Sequence, residues 1–315
     1  MKKILRLGTR GSPLALIQAE DVRAKLRAAH PRLRVETDIE IVPIRTSGDW
    51  RPSHKERTFL ETGGDKGLFT KEIEEALIAG VIDMAVHSMK DVPSRLPDSL
   101  DIAALLERAD PRDAFIGKDA STLNELPAGA VIGTASLRRQ AQVLAKRPDL
   151  RVAPMRGNVG TRLTKLANGD ADATILALAG LQRLGIDNCV SSILEPEVML
   201  PSAGQGALGI EIRRDDEDMR ALLEPVHCAS TAACVNAERA FLLVLDGSCS
   251  TPVAALAQEK NDGQLALEVL AARPDGTDVI RLNRHGAASD AIALGHELGE
   301  QMKNRLPPDF FTFSA

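Results

Sequence analysis

Residues 4–26 read ILRLGTRGSPLALIQAEDVRAKL, a stretch that predicts a strand turning directly into a helix. Its first five residues, 4–8, form the short and mostly apolar run that is typical of a strand. Ser12 stands in the N-cap position of the predicted helix, and Pro13 occupies the first helical position. The apolar face of this helix consists of Ala15, Ala19, Val22 and Leu26. A strand followed at once by an amphipathic helix is the unit from which parallel α/β sheets are built.

The alternation of strands and helices continues to about residue 213. Further strands are predicted at 38–44, 82–86, 130–133, 151–155, 173–178 and 207–213. Helices are predicted between Gly67 and Gly80, after a cap at Thr134 or Ser136, and after a cap at Asn158. Beyond about residue 225 the order changes to a helix at 230–245, strands at 253–258, 265–272 and 278–282, and a last helix at 288–304.

This order of elements predicts an α/β protein with two doubly wound lobes and a small C-terminal α+β domain. With 315 residues the chain is too long for one ordinary hydrophobic core. We expect domain 1 to comprise 1–105 and 201–223, domain 2 to comprise 106–200, and domain 3 to comprise 224–315. Hinges are expected at these boundaries, near residues 105, 201 and 224.

The composition is that of a globular protein, with 44% hydrophobic and 26% charged residues. No apolar run approaches the roughly 20 residues that span a bilayer. Arg6 and Arg10 interrupt the apolar start of the chain, so we expect no signal peptide and a cytoplasmic location. The cysteines form no C-x-x-C pair, which argues against a metal site. Small buried thiols are expected at Cys189, Cys228 and Cys234.

Basic residues are concentrated in one part of a chain whose formal net charge is -5. Residues 131–169 include eight basic residues and one acidic residue, Asp149. The arginines that follow predicted strands, where α/β sheets bind ligands, are Arg10, Arg138, Arg139 and Arg156. Guanidinium groups and helix N-termini both suit anions, which favours an anionic small molecule as the ligand.

Three alternatives to an anion site remain open at this point. The arginines could form a solvated basic face, or they could pair with acids elsewhere in the chain. Nucleic acid is the third alternative. It is disfavoured because the chain has a negative net charge and offers no tyrosine, one tryptophan and seven phenylalanines for base stacking.

The stretch HSMKDVP, residues 87–93, places Lys90 and Asp91 directly after a predicted strand. A carboxylate held ionised by neighbouring cations could stabilise a cationic intermediate or transfer a proton. The alternative is a salt bridge within the loop. His87 is expected to pack or to form a hydrogen bond rather than to act as a base.

The stretch LDGSCSTP, residues 245–252, places Cys249 in a tight loop after a long helix. Such a loop exposes a thiol, and an exposed thiol near basic groups can be a nucleophile. An incidental loop cysteine is the alternative.

Ten stretches of this chain occur, in this order, in one known family. They are LGTRGSPLAL, KGLFTKEIEEAL, AVHSMKDVP, ADPRDAF, GTASLRRQ, RGNVGTRLTKL, LALAGLQRLG, LPSAGQGALGIE, AERAFL and LDGSCSTP. Through them the chain resembles the porphobilinogen deaminase (hydroxymethylbilane synthase) family over most of residues 4–256. The resemblance implies a transferase of tetrapyrrole (haem) synthesis that joins four porphobilinogen molecules head to tail into hydroxymethylbilane and releases ammonia. It also implies lobes similar to type-2 periplasmic binding proteins.

The resemblance further implies roles for individual residues. Asp91 corresponds to the catalytic aspartate, and Cys249 to the cysteine that carries a covalent dipyrromethane cofactor through a thioether. The cofactor would also be bound by Ser88, Lys90, Thr134, Ser136, Arg138, Arg139, Arg156 and Arg162. The substrate would be bound by Arg10, Ser12, Gln18, Arg183 and Gln205. No metal is implied, and the protein would be a monomer that binds neither nucleic acid nor a membrane.

Three features depart from the family pattern. Asp65 is inserted in GGDKGLF, which leaves the role of Lys66 open. The segment 50–58, WRPSHKERT, has no counterpart and suggests a mobile lid, and Ser248 replaces the usual glycine before Cys249. The alternative function is that of a non-catalytic two-lobed protein that binds a carboxylate or another anion, although it would not explain the aspartate and the cysteine together.

Overall fold

The computed structural model describes residues 4–30, 39–47, 69–245, 251–260 and 263–311. Its strands are β1 (Leu5–Arg10), β2 (Ile39–Ile44), β3 (Met84–Ser88), β4 (Leu100–Leu105), β5 (Asp113–Gly117), β6 (Val131–Gly133), β7 (Arg151–Ala153), β8 (Ala173–Ala177), β9 (Ser192–Leu194), β10 (Leu208–Arg213), β11 (Val253–Glu259), β12 (Gln264–Ala272) and β13 (Val279–Ala287). Its α-helices are α1 (Pro13–Ala29), α2 (Lys71–Ile78), α3 (Leu137–Lys146), α4 (Val159–Ala167), α5 (Leu178–Arg183), α6 (Glu217–Leu223), α7 (Ala229–Val244) and α8 (Ala291–Lys303). The strands form three sheets.

The first sheet has the strand order β2-β1-β3-β10-β4. Strand β1 is parallel to β2 and β3, whereas β10 runs antiparallel to both of its neighbours. Helix α1 covers one face of the sheet with the buried side chains of Val22 and Leu26, and α2 covers the other with Ile73 and Leu77. Burial of such a side chain stabilises the fold by about 1.5–3 kcal/mol.

The second sheet repeats this plan with the order β7-β6-β8-β5-β9. Strand β6 is parallel to β7 and β8, and β5 runs antiparallel to β8 and β9. The chain passes between the two sheets twice, through residues 106–112 and again through residues 195–207. Both passages therefore lie where the two lobes meet.

The third sheet is the antiparallel set β11-β12-β13. One face packs against α7 and α8 in a core that includes Phe241 and Leu298. The other face packs against α3 of the second lobe, where Leu270 and Leu256 share a core with Ala141. This C-terminal sheet thus lies directly against the helix whose first turn carries the paired arginines.

The predicted fold class is confirmed: the molecule has two α/β lobes and a smaller C-terminal unit of sheet and helices. The two sheets are mixed and not wholly parallel. In each sheet one strand, β10 or β5, follows a crossing from the other lobe and runs antiparallel to its neighbours. The boundaries expected near residues 105, 201 and 224 stay a prediction.

Strand pairing accounts for two differences from the predicted elements. The strand predicted at 82–86 lies at Met84–Ser88, because β10 pairs with His87 and Ser88. The strand predicted at 278–282 continues to Ala287, because it pairs with the whole length of β12. The short elements β4, β5, β9, α5 and α6 were not predicted.

No helix within the described ranges is long and apolar enough to cross a membrane. Cys234 is buried as expected, but Cys189 and Cys228 are half-buried, so their prediction as buried thiols was wrong. Cys189 ends a 3-10 turn, and Cys228 is the N-cap residue of α7, so neither lies in the interior of a strand or an α-helix.

Candidate active site

The turn that follows β3 presents Lys90 and Asp91. Residues Met89–Asp91 form one turn of 3-10 helix. The first residue of this turn is buried, and its N–H donates to the Ala207 carbonyl at 3.0 Å. Lys90 and Asp91 are both half-buried. The strand behind them is braced by His87, whose Nε2 lies 3.0 Å from a buried carboxylate oxygen of Glu211, so this histidine forms a hydrogen bond, as predicted.

Two glycines let a second loop, residues 201–207, lie directly against this turn. Gly204 has φ +70°, and a Cβ there would lie 2.8 Å from the Cβ of Met89. Gly206 has φ +88°, and a Cβ there would lie 2.4 Å from a backbone carbonyl oxygen. Only glycine combines this conformation with so little space. The loop carries Gln205, which is fully buried between the two lobes.

Helix α3 begins with the two adjacent arginines. Its N-cap is Ser136, whose Oγ accepts a hydrogen bond from the Arg139 N–H at 3.5 Å. Thr134 is not the cap, and its Oγ1 accepts from the Ser136 N–H at 3.1 Å. Arg138 and Arg139 are the second and third residues of the helix, each only 5% exposed. The prediction that they lie in the first turn of a helix after a strand is confirmed.

Both guanidinium groups bind one carboxylate, that of Asp113 at the start of β5. Arg138 Nη1 lies 2.7 Å from Oδ2, and Arg139 Nη2 lies 2.7 Å from Oδ1. Burial of Asp113 would raise its pKa. The charges and hydrogen bonds of the two arginines outweigh burial and hold the pKa of Asp113 well below its usual range. The pair of arginines is therefore joined by a carboxylate that stays ionised.

Gln205 connects this cluster to Lys90. Its Nε2 donates to Asp113 Oδ1 at 3.0 Å, and its Oε1 accepts from Lys90 Nζ at 3.4 Å. Burial lowers the pKa of Lys90 to about 8, since desolvation disfavours the ammonium form. The guanidinium charges of Arg139 and Arg138 act in the same direction, while the carboxylates of Asp91 and Asp113 oppose it.

Four other predicted residues lie in the first lobe, around the start of α1. Gln18 Nε2 donates to Ser88 Oγ at 3.0 Å and so joins the helix to the end of β3. Ser12 caps α1, as predicted. Arg10 ends β1, and its Cζ lies 4.2 Å from the centre of the Phe69 ring, which is a cation–π contact.

The remaining predicted arginines belong to the second lobe. Arg183, on α5, donates from Nη2 to the Gly206 carbonyl at 2.8 Å and so reaches the loop 201–207. Burial lowers the pKa of Arg183. Arg162 donates from Nε to the Gly157 carbonyl at 2.9 Å, and a lysine of α4 donates to the carbonyl of Arg156. Arg156 and Arg162 are thus fixed within the connection from β7 to α4.

Several functional candidates were missed or lie beyond the described ranges. The role of Asp113 was not predicted, although this residue is the second aspartate of ADPRDAF and begins the strand β5. Glu238 on α7 was not predicted either; it is fully buried and accepts from Arg108 Nη1 at 2.6 Å. The residues outside the described part are Asp65, Lys66, the segment 50–58, Ser248 and Cys249.

The described site combines cations, one half-buried carboxylate and a helix N-terminus between two lobes. Such a set can bind a ligand with several carboxylates and can hold or move a proton near it. Among the described residues no group of three or more histidine, cysteine, aspartate or glutamate side chains could hold a metal ion. Fold and site together define a two-lobed α/β protein for acidic small molecules.

The chain belongs to the porphobilinogen deaminase family. The model of its dipyromethane cofactor binding domain matches residues 5–221, and the model of its C-terminal domain matches residues 232–304. The family consists of transferases of haem biosynthesis. Porphobilinogen deaminase of Nitrobacter winogradskyi is 51% identical over 309 residues, which are 98% of this chain and 96% of that protein. The chloroplastic porphobilinogen deaminase of Oryza sativa subsp. japonica is 49% identical over 310 residues, which are 98% of this chain and 86% of that protein.

Solved structures with a similar arrangement of lobes include a nutrient-binding protein of Burkholderia cenocepacia bound to methionine. The similarity covers 71% of this chain and 90% of that one, with a TM-score of 0.43 and 13% sequence identity.

Proposed function

We propose that this chain joins four porphobilinogen molecules head to tail into hydroxymethylbilane, with Asp91 as the catalytic carboxylate and Cys249 as the attachment point of the dipyrromethane primer. The observation that carries the proposal is the single network of Lys90, Gln205, Asp113 and the arginine pair beside Asp91. This network joins the end of β3 in one lobe to the start of α3 in the other.

The residues of the network fit a dipyrromethane group. Each of its pyrrole rings carries an acetate and a propionate, so the group needs several cations near one another. Arg138, Arg139 and Lys90 supply three positive charges, of which Asp113 and Asp91 neutralise two. The N-terminus of α3 adds the positive end of its dipole. When bound, the group supplies a nucleophilic pyrrole carbon on which a chain can grow.

Asp91 is assigned the proton transfers of the reaction. The amino group of the aminomethyl arm of porphobilinogen must leave as ammonia, so it must first be protonated. The methylene carbon stays on the ring, which is left as a resonance-stabilised cation. A carboxylate beside that ring stabilises the positive charge, and it can accept the proton that the attacking pyrrole carbon releases. Lys90, the preceding residue of the turn, supplies a cation beside Asp91, and the charge of Asp91 in turn favours the ammonium form of Lys90.

The other predicted residues are assigned to the carboxylates of cofactor and substrate. Ser88, Thr134, Ser136, Arg156 and Arg162 are proposed for the cofactor. Arg10, Ser12, Gln18, Arg183 and Gln205 are proposed for the substrate. Support comes from their placement around both lobes, with Arg183 and Gln205 meeting at the loop 201–207. A cytoplasmic monomer without nucleic-acid partners stays a prediction.

The direct test is turnover by the wild-type chain and by Asp91→Asn. The wild type is expected to release four ammonia molecules per hydroxymethylbilane formed. Asp91→Asn removes the charge while keeping the shape of the turn, so we expect turnover to fall by about 100-fold or more. Asp98→Asn, an exposed aspartate beyond the same turn, is the matched control and should leave the rate unchanged.

Two results would contradict the proposal. Binding of porphobilinogen by the wild type without ammonia release would favour a non-catalytic carboxylate-binding protein. Wild-type turnover in Asp91→Asn would refute the role of that aspartate alone.

A further inference from the structure

We infer that Asp113 is a positioning residue of the site, which orients the guanidinium groups of Arg138 and Arg139 and supports the charge of Lys90 across the boundary between the lobes. The relevance of this role to catalysis rests on the proposed function. Its evidence is the geometry of the described residues.

The carboxylate of Asp113 is fully buried and accepts from three side chains at once. Arg138 approaches Oδ2 at 2.7 Å. Arg139 approaches Oδ1 with both Nη2 at 2.7 Å and Nε at 3.2 Å. Gln205 approaches the same Oδ1 at 3.0 Å. Two planar donors held by one acceptor have little rotational freedom, so the acceptor determines where their remaining N–H groups point.

The negative charge of Asp113 allows the two guanidinium groups to lie close together away from solvent. Arg138 and Arg139 are each 5% exposed, and without a counter-ion two adjacent buried guanidinium groups would repel each other. One carboxylate cannot neutralise both arginines. The cluster therefore keeps one excess positive charge, which remains available to an acidic ligand.

The link across the lobes runs through Gln205. Asp113 belongs to the second sheet, whereas Lys90 follows β3 of the first sheet. The amide of Gln205 donates to the carboxylate with Nε2 and accepts from the ammonium with Oε1. An amide placed in this orientation relays the negative charge of Asp113 toward the ammonium of Lys90.

The test measures the pKa of Lys90 in Asp113→Asn by competitive labelling with acetic anhydride and mass spectrometry of the Lys90 peptide. All proteins carry Cys249→Ser, and their intact masses are checked first, so that none differs in covalent cofactor. Loss of the negative charge is expected to lower the pKa of Lys90 by about one unit. Asp110→Asn is the matched control, since Asp110 pairs with Arg112 in the same crossing segment, and it should leave the Lys90 pKa unchanged.

If Asp113→Asn does not fold, Gln205→Met tests the relay with the arginine pairs intact. It removes the acceptor of Lys90, so a lower pKa of Lys90 is expected. A folded Asp113→Asn or Gln205→Met protein with the parental Lys90 pKa would overturn the inference. Neither pKa measurement depends on turnover. An adduct still present in the Cys249→Ser parent would contradict the proposed function, but it would not contradict the role of Asp113.

Discussion

At the scale of single residues, the site is organised by a carboxylate that lies about 25 residues before the two arginines with which it pairs. Residues 131–169 contain one acidic residue, Asp149, which pairs with Arg147 at the surface. The acid that matters for Arg138 and Arg139 is Asp113, on a strand that precedes this stretch. The alternative that the arginines pair with acids elsewhere is therefore correct for both, and it is compatible with a binding role because one charge remains in excess.

Lys90 gives a pH-dependent prediction at this scale. Its pKa in the folded protein is about 8 against an ordinary value of 10.5, so the folded state binds fewer protons than the unfolded state between these values. The free energy of unfolding should therefore rise with pH across this window relative to Lys90→Met, by up to about 3 kcal/mol. Urea unfolding at a series of pH values, with both proteins in the Cys249→Ser background, measures the difference. A difference that is independent of pH from 7 to 10.5 would contradict the burial of this ammonium.

At the scale of elements, periodicity and caps predicted most of the fold. Local chemistry determines helix caps and apolar faces, so the sequence predicted the apolar face of α1 and its N-cap at Ser12. The N-cap of α4 at Asn158 was predicted for the same reason. The strand β5 was missed because its five residues, Asp113–Gly117, show neither alternation nor a long apolar run. It is a strand because β8 and β9 pair with it on both sides, and such pairing is not visible in a local stretch.

The candidate site was predictable in its parts and not in its connections. The turn with Lys90 and Asp91 and the arginines of α3 could be found from their positions after strands. Their joining through Gln205 and Asp113 depends on how the two lobes meet, which no spacing in the sequence encodes.

The turn between β12 and β13 yields a prediction about how an element is held. Gly276 has φ +76°, and a Cβ there would lie 2.4 Å from the backbone nitrogen of Ala145 in α3. Gly263, before β12, has φ +68° with open space around it. Gly263→Ala should therefore cost about 1 kcal/mol of stability for its backbone conformation alone. Gly276→Ala should cost at least about 2 kcal/mol more, because the turn must move away from α3.

Chemical denaturation of these two glycine variants measures the comparison. Equal losses of unfolding free energy in Gly263→Ala and Gly276→Ala would mean that the turn does not contact α3 in solution.

At the scale of the whole molecule, one carboxylate of α7 connects the third sheet to both segments that cross between the lobes. Glu238 accepts from Arg108 in the first crossing segment at 2.6 Å, from the Gly204 N–H in the second at 2.6 Å, and from the Ala257 N–H of β11 at 2.8 Å. The carboxylate is fully buried. Helix α7 and strand β11 are therefore hydrogen-bonded, through this carboxylate, to both segments that cross between the lobes.

Removing one member of this ion pair should be costly, because it leaves a buried charge without its partner. Glu238→Gln and Arg108→Met are each expected to lower the free energy of unfolding by about 3–5 kcal/mol. The double variant leaves no unpaired charge, so its loss should be smaller than the sum of the two single losses by at least about 1 kcal/mol. Additive losses in a double-mutant cycle, measured by denaturant unfolding, would show that the two side chains do not interact.

The most direct measurement of the central claim is the intact mass of the purified chain beside that of Cys249→Ser. A chain that builds tetrapyrroles on a covalent primer should weigh more than its sequence by a two-ring adduct, and Cys249→Ser should match its sequence mass. A wild-type chain isolated from a porphobilinogen-fed host at its bare sequence mass, or an adduct that persists without this thiol, would contradict the account.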